Sequence, residues 1–188
     1  RYEEAIATLR RMNSEHANAN ALRKEIIYAN EYIYQIYIEQ KDTVNAVEFI
    51  KGCIDLFPEE PWFMQNLINL YSNSGQEEKA IEYLDIAIAR EPNVGQYYNS
   101  KGSILARIGR FEESFKAFEQ AIAIEPNNAL FLETLGFAYV DLGNKLNDDA
   151  AYLDNKAYAK AKVEIDAAFQ KALPYFEKAY ELEPDNYD

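Results

Sequence analysis

Histidine and cysteine are almost absent from this sequence, which contains one of each, His16 and Cys53. A single cysteine cannot form an internal disulfide, so cysteine usage does not indicate a redox compartment. A lone histidine cannot be combined with a second one in a catalytic arrangement, and such a residue is more often solvated than catalytic. Neither residue therefore predicts an active site.

Glycine is also scarce, and the seven glycines are isolated from one another, which excludes a glycine-rich phosphate loop. No two or three residues of metal-ligand type stand at productive spacing. Adjacent carboxylates do occur, as Glu77 with Glu78 and Glu112 with Glu113. They fall in the first turns of predicted helices, where negative charge complements the helix dipole, and this interpretation is favoured over a general acid/base dyad. We predict that this chain is not an enzyme and holds no metal or cofactor.

Long apolar runs and basic residues are lacking as well. No run approaches the ~18 residues that indicate a membrane-spanning helix, so no membrane insertion is expected within this segment. The 32 acidic residues outnumber the 19 basic ones and give a net charge of -13. Because nucleic acids are bound by Lys and Arg that displace counterions along the phosphates, nucleic acid and anionic membrane surfaces are disfavoured as partners. A neutral or basic protein or peptide suits this charge better.

The sequence does contain a period of 34 residues. It relates Pro58, Pro92 and Pro126, then Cys53, Ala87 and Ala121, then Gly75, Gly109 and Gly143. Such a period indicates stacked supersecondary units. Within each period, apolar residues recur three and four apart on two successive stretches, which predicts two amphipathic helices per unit. Cys53 shares its position with two alanines, so its thiol is expected to be buried and inert.

These features resemble the tetratricopeptide repeat, a helix-turn-helix unit with Leu-Gly and Tyr in its first helix and Ala, an aromatic residue, Ala and a final Pro in its second. The unit that begins at Ala129 carries Leu132, Leu135, Gly136, Tyr139 and Gly143, then Ala172, Phe176, Ala179 and Pro184. Departures from the pattern are Lys101 for Leu, Ser114 for Ala, and Tyr34 and Ile68 for Gly. The resemblance implies an all-α fold, a right-handed superhelical α-solenoid of paired helices.

We expect residues 1–188 to form a single solenoid. Its complete repeats are predicted at 27–60, 61–94 and 95–128, preceded by a half repeat at 1–19 and followed by a last repeat at 129–188. The half repeat lacks its first helix, and the chain stops where another helix would start. The sequence therefore predicts a fragment of a longer array, with a further repeat or a capping helix after its last residue.

The last repeat contains 24 additional residues, Lys145 to Ala168. When they are removed, Phe169 aligns with Phe111 and the plain repeat is restored. The segment has a helix-forming composition, so we expect both helices to be extended and to meet near "LDNK", in a hairpin that projects roughly 18 Å. Pro174 is expected to kink the second helix. The hairpin is either a second contact surface or a protrusion without a partner. Similar insertions in some exported bacterial relatives favour an extracytoplasmic location, with the cytoplasm as the alternative.

In the tetratricopeptide family the first helices line a concave face on which a peptide or a partner helix lies. This resemblance implies ten candidate binding residues: Tyr28, Tyr32, Trp62, Gln65, Asn66, Asn69, Asn73, Asn99, Ser103 and Arg107. The same spacing adds Gln35, Gln96, Leu130, Glu133 and Phe137 to this face. Some relatives hold a chaperone's C-terminal carboxylate with basic residues, but here Glu31 and Gln65 occupy such positions and only Arg107 supplies positive charge. That ligand is disfavoured.

The amide-rich character of the predicted face has two interpretations. Asparagines in some relatives bind the backbone of an extended peptide, and an amide can both donate and accept. A concave face must also be polar to remain solvated, although Asn costs about 0.5 kcal/mol relative to Ala in a helix and Gln or Glu would solvate it at less cost. The aromatic residues Tyr28, Tyr32 and Trp62 are either anchors for a partner or contacts for an upstream helix.

The sequence favours a non-catalytic scaffold that binds a peptide or protein segment on its concave face. The alternative is a regulatory or targeting region of a larger enzyme or envelope-assembly protein. Self-association through exposed repeat ends is a third possibility. Partner, compartment and oligomeric state do not follow from the sequence.

Overall fold

The computed structural model describes Ala7, Arg11 and residues 23–184 of the chain. Within residues 23–184 eight α-helices follow one another and no strand occurs: α1 (Arg23–Glu39), α2 (Thr43–Leu56), α3 (Pro61–Asn73), α4 (Glu77–Arg90), α5 (Gly95–Arg107), α6 (Phe111–Ile124), α7 (Ala129–Ala150) and α8 (Asn155–Leu182). The predicted all-α class is confirmed. Ala7 and Arg11 are helical, whereas His16 and the rest of the half repeat predicted at 1–19 lie outside the described residues.

The helices begin and end where the repeat pattern places turn residues. Pro61 is the first residue of α3, a position where its missing N–H is not needed for the helix. Gly75 and Gly109 lie between the paired helices with φ of 71° and 78°, a region that residues with a Cβ seldom adopt. The helices α5 and α7 begin at residues 95 and 129, the first residues of two predicted repeats, while α1 begins four residues before the predicted start at 27.

The chain forms two compact units, Arg1–Tyr83 and Leu84–Asp188, and the division falls within α4. In the described part of the first unit, α1 packs on α2 and α2 on α3. Tyr34 and Ile68, which replace the glycine of the repeat pattern, are both buried and fill the space that a glycine leaves open. Cys53 is 2% exposed, so the predicted buried thiol is confirmed.

The second unit explains the two other departures from the repeat pattern. Ser114 is fully buried because its hydroxyl donates to the Gly102 carbonyl oxygen at 2.8 Å, a bond that an alanine would not make. Lys101 forms an ion pair with Asp85, with 2.5 Å between Nζ and Oδ1. The alanines predicted to lie between helices, Ala87 and Ala121, are buried as expected.

The last two helices form the extended hairpin that the sequence predicts. They are 22 and 28 residues long, against 13 and 14 for α5 and α6. The connection spans 151–154, two residues before the expected position at 153–156. Asp154 caps α8 by accepting hydrogen bonds from the backbone N–H groups of Lys156 and Ala157. Pro174 lies in the interior of α8.

Candidate protein-binding surfaces

In the described part of the first unit, the exposed aromatic residues lie on α1. Tyr28 is 65% exposed and Tyr32 is 61% exposed, and their spacing of four residues places them on the same side of the helix. Trp62 differs from them because it is half-buried, with its ring edge-on to Tyr34 at 5.6 Å and to Phe63 at 5.3 Å. Tyr28 and Tyr32 are therefore mostly exposed, whereas most of Trp62 serves the packing of the unit.

Three amide side chains form a row along α3, which we call the amide row: Gln65, Asn69 and Asn73. They are four residues apart, and Gln65 Nε2 donates to Asn69 Oδ1 at 3.2 Å. Asn69 and Asn73 are exposed. Asn66 is half-buried instead, and its Nδ2 donates to the Trp62 carbonyl oxygen at 2.9 Å. Apart from this bond, the row presents amide groups on the surface of α3, whereas Asn66 bonds to the backbone of its own helix.

An acidic position accompanies the two tyrosines of α1. Glu31 lies between them in sequence and is half-buried. Burial raises the pKa of the Glu31 carboxyl above its ordinary range, and the negative charge of Glu60 raises it further. A partially desolvated carboxylate beside another negative charge is stabilised by a nearby cation.

The second unit places the remaining candidates at different depths. Asn99 was expected on the surface but is 4% exposed, because its Oδ1 accepts a hydrogen bond from Thr134 Oγ1 at 2.5 Å and joins α5 to α7. Its backbone carbonyl oxygen accepts from the Ser103 hydroxyl at 3.0 Å. Ser103 and Arg107 are exposed. Asn99 therefore stabilises the unit and offers no free amide to a peptide.

The flanking residues of the predicted face are mostly accessible. Exposed members are Gln35, Gln96, Leu130 and Phe137, while Glu133 is half-buried. Phe137 packs edge-on against Phe176 at 5.0 Å between ring centroids. Sequence reasoning did not single out two exposed apolar residues of α8, Leu173 and Tyr180. They correspond to Phe115 and Ile122 of the preceding repeat, both of which pack against α7.

Other kinds of site receive no support from the described residues. Among residues 23–184 no group of three His, Cys, Asp or Glu side chains is arranged to hold a metal ion. In the same part of the chain, none of the helices combines the length and the apolar character needed to cross a bilayer.

Paired antiparallel helices with periodic small residues and turn glycines define a helical repeat protein. Two tetratricopeptide models match this sequence: one described as TPR repeat over residues 102–143, and one described as tetratricopeptide repeat over residues 37–104. Together they span residues 37–143, more than half of the chain. The chain belongs to the tetratricopeptide repeat family, and its α-solenoid fold class and its role as a protein-interaction scaffold follow from that membership.

Several solved structures share the fold. A crystal structure of MamA has a TM-score of 0.64 and 18% sequence identity, over 98% of this chain and 90% of that one. A MamA RS-1 ArsTM double mutant has a TM-score of 0.64 and 18% sequence identity, and the alignment covers 99% of this chain and 87% of that one. A further MamA structure has a TM-score of 0.59 and 18% sequence identity, and the alignment covers 100% of this chain and 93% of that one. At this identity the likeness shows the fold alone. No curated protein sequence matches the chain.

Proposed function

We propose that this protein is a non-catalytic scaffold that binds an extended, neutral or basic protein segment on the first-helix face of its first unit. The observation that carries the proposal is the combination of exposed Tyr28 and Tyr32 on α1 with the amide row on α3. The amide row lies one repeat length after Glu31, Gln35 and Glu39, which neighbour the two tyrosines on α1, so the row and the tyrosines lie on successive first helices.

The chemistry of this face suits an extended backbone. A backbone peptide group carries one donor and one acceptor, and each amide of the row can satisfy both. Exposed tyrosines supply apolar area with a polar tip, the combination that is enriched at interfaces. Glu31 favours a cationic side chain near the tyrosines, in keeping with the net charge of -13.

The role of the amide row is tested with peptides selected from a random library against the whole chain. One variant combines Gln65→Ala, Asn69→Ala and Asn73→Ala, and a second combines Tyr28→Ala and Tyr32→Ala. The control variant, Glu78→Ala with Glu82→Ala, changes two exposed residues of α4. Asn66 and Asn99 are left unchanged because both already hold structural hydrogen bonds.

Each of the first two variants is expected to weaken peptide binding at least tenfold in a titration calorimetry experiment, while the control binds as the parent does. Thermal stability of the amide variant is expected to equal or slightly exceed that of the parent, since alanine has the higher helix propensity. Peptides that bind all three variants with equal affinity would show that the ligand lies elsewhere, and the proposal would be abandoned.

A further inference from the structure

A cleft of about 350 Å³ lies at the base of the extended hairpin, within the second unit. Its apolar floor consists of Phe111 and Phe115 of α6 and Leu142 of α7, and all three side chains are half-buried. The rings of Phe111 and Phe115 stack with 6.3 Å between their centroids. We call this depression the hairpin cleft.

The extension of α7 gives the hairpin cleft a wall that a plain repeat lacks. Leu142 lies one repeat length after Ile108, the residue that caps the end of α5. The helix α7 instead continues from Leu142 to Ala150, which adds about 12 Å at 1.5 Å per residue. Asp149 follows Leu142 by two helical turns on the same side of α7, and its carboxylate pairs with Lys145. The side of α7 that lines the cleft therefore continues beyond the end of the plain repeat.

The preceding repeat has a polar residue where the hairpin cleft has Phe111. Glu77 lies one repeat length earlier and is likewise the first residue of its helix. A helix of the repeat can therefore begin with a polar residue at this position. Part of the Phe111 ring packs against the core of the unit, and the remainder lines the cleft. The accessible part of this ring belongs to the cleft and is not required by the repeat.

The rim of the hairpin cleft carries an uncompensated negative charge. Glu113 is paired, because the Arg110 guanidinium donates to its carboxylate through Nε at 2.7 Å and through Nη2 at 2.6 Å. Glu112 is exposed and, within the described part of the chain, has no ion-pair partner. Aromatic ring faces and carboxylates both attract cations. The cleft therefore complements a ligand in which a positive charge stands next to an apolar group.

We propose that the hairpin cleft binds a short segment of another protein in which a large apolar side chain is adjacent to a lysine or arginine. The apolar side chain packs on Phe111, Phe115 and Leu142, and the cation lies beside Glu112. The cleft volume is near the lower end of the roughly 300–1,000 Å³ found for ligand sites, which suits one or two side chains and not a whole helix.

This site is distinct from the amide row and from the two exposed tyrosines of α1. It lies on a second helix, α6, and on the extension of α7, both in the second unit. A basic segment agrees with the net charge of -13, which favours the approach of cationic partners.

The probe is a capped peptide with one phenylalanine between two lysines and a glycine–serine spacer at each end. One matched peptide has glutamate in place of both lysines, and another has serine in place of the phenylalanine. Each is titrated at low salt into the isotope-labelled whole chain, and amide NMR spectra are recorded. The first peptide is expected to bind at least fivefold more tightly than either matched peptide and to shift the amide signals of residues 109–113. Equal affinity for the three peptides, or no binding of the first, would overturn the proposal.

Variants of the protein locate the binding. Glu112→Lys reverses the charge at the rim, and Phe111→Gln removes the aromatic ring while keeping a polar residue that the repeat accepts at this position. Each is expected to weaken binding of the lysine–phenylalanine peptide at least fivefold. Glu164→Lys is the control, because it makes the same charge change at an exposed residue of α8 that does not line the cleft. Circular dichroism verifies that each variant remains folded, and unchanged binding in either cleft variant would contradict the proposal.

Two further measurements distinguish this site from the other occupants and from the first-helix face. The variant that combines Tyr28→Ala with Tyr32→Ala is expected to bind the lysine–phenylalanine peptide as the parent does. Loss of binding in that variant would assign the peptide to the first unit and overturn the proposal. Sedimentation of the protein alone tests a second copy as the occupant. A dimer that dissociates on Phe111→Gln would assign the cleft to self-association and would also overturn the proposal.

Discussion

Gly143 lies directly against the ring of Phe169: a Cβ built on this glycine would be 2.8 Å from the ring atoms. One repeat earlier, Gly109 occupies the same position of the pattern but lies in a turn with φ of 78°. The glycine at this position of the repeat therefore has two different structural roles. In the plain repeat it permits a left-handed turn, and in α7 it lets a longer helix approach α8 closely.

The close contact predicts that Gly143→Ala destabilises the second unit. A methyl group at this position must displace an aromatic ring, and overpacking costs about 1–3 kcal/mol. The gain in helix propensity, about 1 kcal/mol, offsets only part of that cost. We expect a lower free energy of unfolding in urea denaturation monitored by circular dichroism.

Gly52→Ala is the matched control. Gly52 lies within α2, and no atom of the described residues comes within 4 Å of a Cβ built on it. This substitution is expected to stabilise the protein by about 0.5–1 kcal/mol. If both variants shifted stability in the same direction, the contact between Gly143 and Phe169 would not be the cause.

The burial of Asn99 predicts opposite effects for two asparagine substitutions. Asn99→Ala removes a buried hydrogen bond to Thr134, which we expect to cost about 1 kcal/mol. Asn69→Ala, at an exposed position of α3, is expected to raise stability by about 0.5 kcal/mol through helix propensity. Thermal unfolding of both variants and the parent measures whether the two stabilities change in opposite directions.

A double-mutant cycle that combines Asn99→Ala with Thr134→Val measures the interaction energy between these two side chains. The coupling between Asn99 and Thr134 is expected to be about 0.5–1.5 kcal/mol. Additive effects of the two substitutions would mean that the hydrogen bond contributes nothing to stability.

The period of the sequence determined much of this fold because small and large residues recur at fixed positions. Ala121 could be assigned to the core since its counterparts 34 and 68 residues away are also small, and it is fully buried. The longer helices of the last repeat followed from the position of Phe169. Each of these inferences needs only the spacing of residues along one chain.

The depth of a side chain on the candidate face could not be predicted in this way. The period places Asn99 on the predicted concave face of α5, but its burial depends on the hydroxyl of Thr134 in α7. Leu173 and Tyr180 are residue types that often pack in cores, yet both side chains are exposed on α8. A contact between two helices depends on residues of both, so the pattern along one helix does not predict it.

The raised pKa of Glu31 predicts a pH dependence of stability. A carboxyl whose pKa is higher in the folded state binds more protons there, so its ionisation opposes folding. The favourable contribution of this carboxyl to the free energy of unfolding is fully present below its ordinary pKa of 4.5. It is lost as the pH rises through the higher pKa of the folded state. We expect Glu31→Gln to become progressively more stable than the parent as pH rises above 4.5.

Unfolding in urea between pH 4 and pH 7 measures this difference, with about one-unit steps across the range in which the carboxyl ionises. Glu48→Gln, at an exposed position of α2, controls for the loss of one negative charge. A difference between Glu31→Gln and the parent that is constant with pH would show that Glu31 does not ionise differently in the folded state.

Deletion of residues 145–168 tests whether the hairpin extension is separable from the repeat. The deletion joins Asn144 to Phe169, which places Gly143 and Phe169 in the same relation as Gly109 and Phe111. Gly143 must then leave its helical conformation for a turn with positive φ, a change that glycine tolerates. We expect the shortened protein to keep its helical signal per residue and to unfold cooperatively.

Pro174 is the residue most affected by that deletion, because it would lie in the second turn of a shorter helix, where its ring opposes the preceding turn at a cost of up to about 3 kcal/mol. Pro174→Glu in the deletion variant is therefore expected to restore stability. The residues lost from the core are Ala150, Ile165 and Ala168, all of them in the extension itself. Circular dichroism and thermal unfolding distinguish the outcomes, since an extension that packs only on itself leaves both variants folded. If both variants were unfolded, these buried residues would belong to the core of the second unit, and the extension would be an integral part of it.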